Sequence, residues 1–371
     1  KGIVVDEDVE RVYPFGNLAS HVIGFVGGDN QGIIGLESKY EKYQFMENIN
    51  WGIIGCGDVC EKKSGPAFYK IKHSSLVAVM RRNEAKIKDF AQRHGVEKYY
   101  TEADKLINDP DINAIYIATP PNMHKRYAIQ AMEANKPVYV EKPMGMNYTE
   151  CLEMIETSKI TNQKLFVAFY RRALPYFLKV KALLDENRIG QVLTVDIKHI
   201  KKAQASDFDA NTHTWRVDKS IAGEGYFYDL APHTLDILDF LLGKIESAKG
   251  YSQNLGHLYD TKDTICAALQ FESGVVGTGL WSFVAHENSE QDSIEIIGTN
   301  GKITFSTFAF TPIMLITDKI SEQYSFTPPE HIEQPLIQTI VDELRGHGHC
   351  PSTGISGART SLVMDRILKE Q

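Results

Sequence analysis

Between residues 50 and 168, short apolar runs alternate with longer stretches in which apolar residues recur at helical spacing. The runs at 51–54, 76–80, 114–118, 138–140 and 165–168 are too short for helices and almost wholly apolar, so they read as buried strands. The stretches at 83–94, 123–134 and 148–161 read as amphipathic helices. Strands separated by helices pair in parallel through right-handed crossovers, which predicts an α/β fold with a doubly wound parallel sheet.

Beyond residue 168 the pattern changes. A helix is expected over 176–186, followed by strands at 191–199, 264–271, 275–282, 293–297 and 302–306, and a last helix over 358–369. Glu272-Ser273-Gly274 and Thr299-Asn300-Gly301 read as hairpin turns, so the second sheet is expected to be mostly antiparallel. The resulting division is a first domain over 46–168 and a second, substrate-binding and oligomerising α/β domain over 169–371.

Candidate chemistry gathers where the parallel strands end. Gly55-Cys56-Gly57 follows the first strand: one glycine permits a tight turn, the other a close backbone approach to a phosphate at the start of a helix carrying Asp58 and Val59. Cys60 stands where the third glycine of a dinucleotide fingerprint is expected. The second strand ends in Met80-Arg81-Arg82 rather than in an acidic residue, which favours NADP through a 2′-phosphate and leaves NAD possible. Thr119-Pro120-Pro121-Asn122-Met123-His124 forms a stiff connection after the strand at 114–118, and Thr119, Pro120, Asn122 and His124 are expected at the cofactor. Glu141-Lys142-Pro143 follows the strand at 138–140 and aims an amine into the same region.

Composition narrows the classes. The formal charge of −8 argues against a nucleic-acid groove, and no apolar run reaches the roughly 18 residues of a membrane span. Five scattered cysteines fit a reducing cytoplasm. His347-Gly348-His349-Cys350 matches no standard zinc spacing, so no metal is expected. Residues 1–45 read differently from the rest, being turn-rich and aromatic, and resemble a stretch ahead of the transpeptidase domain in class B penicillin-binding proteins. That family's S-x-x-K nucleophile motif occurs nowhere, so these residues are taken as a foreign or accessory segment.

Gly55-Cys56-Gly57, Thr119-Pro120, Glu141-Lys142-Pro143 and Asp229-x-x-x-His233, in this order, resemble the glucose–fructose oxidoreductase and inositol dehydrogenase family (Gfo/Idh/MocA). The resemblance implies a Rossmann domain followed by an α/β domain whose large sheet makes oligomer contacts, giving a homodimer or homotetramer. It implies a cis bond before Pro143, Glu141 beside the cofactor, and Lys142, Asp229 and His233 at a polyhydroxylated substrate. Asp229 and His233 lie four apart, on one face of a helix whose buried side would hold Leu230, Ile237, Leu238 and Leu241. Glu224 replaces a glycine of the family motif, and Pro232 predicts a kink or a late helix start. Tyr170, Arg171, Arg172 and Trp215 are candidates to line the sugar pocket.

The activity expected is hydride transfer between a nicotinamide and a secondary alcohol or carbonyl of a sugar, cyclitol or related diol. His233 would act as general acid/base, Lys142 would polarise the reacting oxygen, and Asp229 would orient the substrate or His233. Two other classes stay open: a glycoside-cleaving enzyme that uses bound NAD transiently, and a non-catalytic nucleotide sensor.

Overall fold

The computed structural model describes residues 46–369, preceded by two short strands, β1 (Phe25–Val26) and β2 (Gly32–Ile34), that pair antiparallel. Apart from those strands, the segment expected to be foreign lies outside the described residues.

Six strands form the parallel sheet: β3 (Ile49–Ile54), β4 (Ser74–Met80), β5 (Lys98–Tyr100), β6 (Ala114–Ile117), β7 (Val138–Val140) and β8 (Leu165–Val167). Their order is β5-β4-β3-β6-β7-β8. The chain winds outward from β3 in both directions, so the topological switch point lies between the carboxyl ends of β3 and β6. Helices cover both faces, which is why Ile53, Ile54, Ile115, Ile117, Val138 and Val140 are all fully buried. Truncating any one of the four isoleucines to alanine costs about 2–5 kcal/mol. Asn83 caps the helix Glu84–His94 by accepting the Lys86 N–H at 3.0 Å, and Gly95 ends it at φ +66°.

The second sheet has eight strands: β9 (Val192–Ile200), β10 (Ile245–Gln253), β11 (Thr264–Phe271), β12 (Val276–Ser282), β13 (Gln291–Gly298), β14 (Gly301–Phe305), β15 (Ile313–Thr317) and β16 (Ser321–Tyr324). Their order is β10-β11-β12-β9-β13-β14-β15-β16, antiparallel except for β9 beside β12. The turns at 272–275 and 299–300 close hairpins as their residues predict. Strands β5, β10, β15 and β16 were not expected. Of the nine residues of β10 only Ile245 and Ala248 are buried, which leaves almost no apolar signature.

Helix Gly225–Leu242 begins before Pro232 and continues past it, so of the kink or late start that Pro232 predicts, the late start does not occur. Arg172 helps to anchor it: its guanidinium meets Asp236 at 2.8 Å and Asp239 at 3.0 Å, and Arg359 also binds Asp239. Arg172 therefore belongs to a buried ion-pair network rather than to a pocket wall. Helix Gly354–Leu368 packs against both β10 and helix Tyr148–Thr161, tying the two sheets together. Among the described residues, no helix is long and apolar enough to cross a membrane.

Candidate active site

A cavity of about 780 Å³ lies at the carboxyl end of the parallel sheet, and residues from both sheets' connections line it. Gly55 makes the turn out of β3 at φ +93°, and a Cβ there would sit 2.7–2.9 Å from Thr119 and Ala118. Its N–H donates to the Met80 carbonyl at 2.9 Å, which pins the turn to the neighbouring strand. At Gly57 a Cβ would meet nothing nearer than 3.8 Å, so this glycine leaves an open face toward the cavity. Asp58, Val59, Arg81, Arg82, Thr119 and Pro120 line the cavity beside the turn. Arg81 Nη1 donates to the Cys56 carbonyl at 3.1 Å, and the buried Thr119 Oγ1 has no partner.

Two residues expected at the cofactor lie outside the cavity wall. Asn122 is exposed and reaches across to the Ser220 carbonyl at 3.5 Å. His124 is fully buried, with Nε2 2.8 Å from the Thr119 carbonyl and Nδ1 2.9 Å from the Pro143 carbonyl. It clamps together the two loops that frame the site. Burial lowers its pKa, outweighing the two carbonyls that favour the protonated ring.

At the other end of the cavity, the Lys142–Pro143 bond is cis, and Lys142 Nζ donates to Asp229 Oδ1 at 2.5 Å and to the Asp229 carbonyl at 2.8 Å. Asp229 Oδ2 accepts from Arg216 Nε at 3.0 Å. Burial pushes the Asp229 carboxyl upward, but Lys142 and Arg216 together overcome this and hold it below the usual range. Arg216 stacks on Trp215, with its guanidinium carbon 4.8 Å from the ring centroid, and both line the cavity.

His233 is 5% exposed and lines the same cavity, boxed by Tyr170 (ring centroids 5.4 Å apart), Phe308 (5.6 Å) and Phe169 (6.4 Å). Its pKa is well below the ordinary histidine value, first through burial and then through the positive charges of Arg171 and Lys142. The imidazole is therefore neutral at neutral pH. Arg171 lies behind this box rather than in the pocket wall. It donates to the Thr307 carbonyl at 2.9 Å and sits over the rings of Tyr170 and Phe308. Asp292 fixes Phe308 by accepting the backbone N–H groups of Thr307, Phe308 and Ala309 at 2.7–3.0 Å.

Glu224 does not disturb the loop. The positive φ angles fall on Gly223 (+70°) and Gly225 (+64°), while Glu224 keeps φ −94° and pairs with Lys219 at 2.6 Å. Leu230 lines the cavity instead of entering the core that holds Ile237, Leu238 and Leu241. Sequence reasoning missed Arg216, Phe308 and Glu333 at the cavity. Only the adjacency of Arg216 to Trp215 could have hinted at one of them.

An oxidoreductase of Formosa agariphila is 42% identical over 318 residues, covering 85% of this chain and 97% of that protein. Residues 49–169 match the oxidoreductase family with an NAD-binding Rossmann fold, and residues 177–304 match the GFO/IDH/MocA C-terminal domain. The chain belongs to the GFO/IDH/MocA oxidoreductase family. As a member it is an NAD(P)-dependent dehydrogenase or reductase. The levoglucosan dehydrogenase of Pseudarthrobacter phenanthrenivorans is 29% identical over 292 residues, covering 70% of this chain and 74% of that protein. A solved structure of levoglucosan dehydrogenase in complex with NADH and levoglucosan shares the family fold at TM-score 0.76, with 24% identity over 86% of this chain and 96% of that one. A nicotinamide cofactor fits the residues present: a glycine turn that only glycine can make, an open face at Gly57, and the unpartnered Thr119 hydroxyl.

Proposed function

We propose that this GFO/IDH/MocA member oxidises or reduces a secondary alcohol or carbonyl carbon of a sugar, cyclitol or related diol. One observation carries the reading: Lys142, Asp229 and His233 face a single cavity that the Gly55–Gly57 turn also lines. The nicotinamide, when bound, supplies or accepts the hydride. Gly55, Gly57, Asp58, Val59, Thr119, Pro120 and Glu141 would hold the dinucleotide, with His124 acting through the loops it clamps. Arg81 and Arg82 favour NADP, because guanidinium forks rather than a carboxylate follow β4.

His233 would take the substrate hydroxyl proton during oxidation and return it during reduction, its neutral imidazole suiting the first task. Lys142 has three N–H donors, and its two hydrogen bonds to Asp229 leave one for the reacting oxygen. Asp229, tied to Lys142 and Arg216, would fix that amine and accept from a neighbouring substrate hydroxyl. Tyr170 and Trp215 offer aromatic faces to a polyhydroxylated ring. The names of two relatives support a cyclic sugar derivative: levoglucosan dehydrogenase and the 1,5-anhydro-D-fructose reductase of Ensifer adhaerens.

We also infer a homodimer or homotetramer, since Tyr251, Cys266 and Leu280 lie side by side on the exposed face of β10, β11 and β12. All five cysteines are free thiols, which supports a cytoplasmic setting. The deciding assay offers sugars, anhydrosugars, inositols and simple diols with NAD and NADP, following absorbance of the reduced nicotinamide. Turnover of a cyclic polyol with net nicotinamide reduction is expected. Cleavage of a glycoside without net redox change would overturn the reading.

A further inference from the structure

The cavity wall next to the Lys142 peptide holds an acid pair to which the reaction above gives no part in proton handling. Tyr116 on β6 and Tyr139 on β7 are register partners, and their buried rings stack with centroids 4.8 Å apart. Their hydroxyls serve different carboxyls. Tyr116 donates to Glu141 Oε1 at 2.8 Å, and Tyr139 donates to Glu333 Oε2 at 3.0 Å. The stacked rings thus hold the two carboxyls close enough to act on each other, although 192 positions separate them in the chain. Glu141 is 8% exposed and Glu333 0%, and both line the cavity. Glu141 Oε2 accepts the Lys142 N–H at 3.1 Å, whereas the buried Glu333 Oε1 has no partner. Two adjacent buried carboxylates repel each other, and one proton between them removes a charge and satisfies the orphaned oxygen.

We infer that Glu141 and Glu333 share one proton, which the pair keeps while the cavity holds a neutral, reduced nicotinamide and releases when it holds the cationic, oxidised form. The inference rests on the reading that this cavity binds the dinucleotide. A positive ring in the same cavity favours two ionised carboxyls, and by reciprocity two ionised carboxyls favour the positive ring. Glu333 is the fully buried member and carries the unpartnered oxygen. Burial first, and then the charge of Glu141, raise its carboxyl well above the usual range.

The other groups around the pair do not supply this proton. Burial raises the phenols of Tyr116 and Tyr139 well above their ordinary value. Contact with Cys56, followed by burial, raises the Cys60 thiol, and burial pushes Cys350 up to about 12. His233 is already neutral. The cations in the same wall are the Lys142 amine, held by Asp229, the exposed Lys63, and Arg81, Arg82 and Arg216, whose guanidinium groups keep their protons. Lys70 and His331, near the start of the Glu333 segment, bond to each other at 2.6 Å.

Isothermal titration of the full chain with NAD⁺ and NADH, and with the phosphorylated pair, in two buffers of different ionisation enthalpy counts protons released on binding. The oxidised form should release up to about one proton more than the reduced form near neutral pH. Where the shared proton titrates, the affinity ratio should move toward the oxidised form by up to about tenfold per pH unit. Glu333→Gln keeps the side-chain size and should abolish both effects. Tyr139→Phe removes a donor to ionised Glu333 and should move the transition to higher pH. This second variant, with the wild type, keeps the test decisive if Glu333→Gln fails to fold. Equal proton release for both forms in the wild type overturns the inference, as does a difference that survives Glu333→Gln. Failure of every cofactor form to bind would instead strike the cofactor reading itself.

Discussion

The parallel and antiparallel sheets serve the cavity in different ways. From the parallel sheet come mostly backbone features: the Gly55 turn pinned to Met80, the Thr119–Pro120 connection, and the peptide carrying Lys142. Each sits directly on the end of a strand buried on both faces, so its position follows from chain direction alone. The second region sends side chains from segments around its sheet: Asp229 and His233 from one helix, Arg216 from a short 3-10 turn, and Phe308 from the loop that Asp292 ties down. Their positions depend on tertiary ties, such as Arg171 behind Phe308 and Arg172 beneath helix Gly225–Leu242. The lesson is a division of labour: a rigid backbone cradle on one side, and chemistry assembled by packing on the other.

That division can be broken from either side. The largest effect is expected from the side-chain half. His233→Asn should lower kcat by about 10²–10⁴-fold while cofactor affinity holds, as separate kinetic and binding titrations would show. Gly55→Val attacks the backbone half. It forces a branched residue to φ +93° and its Cβ onto Thr119, so cofactor binding should weaken by about 10–100-fold, read by fluorescence of bound reduced cofactor.

A smaller change is expected from replacing Arg81 and Arg82 together by alanine. The ratio of kcat/KM for NADP to that for NAD should fall by about tenfold, because one guanidinium–phosphate contact contributes on that scale. The smallest effect concerns acid stability. Buried His233 has its pKa lowered in the folded state, so the unfolded chain binds more protons as pH falls below about 6.5. Its contribution is complete above that pH and is lost on acidification toward the lower folded value. Between pH 7.5 and 5.5 the melting temperature should fall less for His233→Phe than for the wild type, by about 2 °C.

The same division explains what could be read from the residues in advance. The five strands of the parallel sheet whose runs are apolar were legible because burial on both faces leaves an unbroken apolar signature. Lys98–Tyr100 was not, since this edge strand carries a lysine that pairs with Asp109. The family motifs led to Lys142, Asp229 and His233. No local pattern announces Phe308 or Glu333, because each reaches the cavity through partners far away in the chain: Asp292 and Arg171 for one, Tyr139 for the other. Arg171 was misplaced for a related reason. A cation next to an aromatic residue reads as a pocket pair, yet here it is buried and stacks behind the wall.

At the centre of the proposed reaction the Lys142 amine acts at the reacting oxygen, held there by Asp229. The most direct test is Lys142→Ala, with turnover and cofactor dissociation constant measured on one preparation against a polyol that the wild type uses. Arg216 remains to pair with Asp229 in this variant, so the fold should survive. That role predicts a loss of about 10²–10⁴-fold in kcat with cofactor affinity unchanged. Wild-type turnover, or a loss explained wholly by weaker cofactor binding, would contradict it.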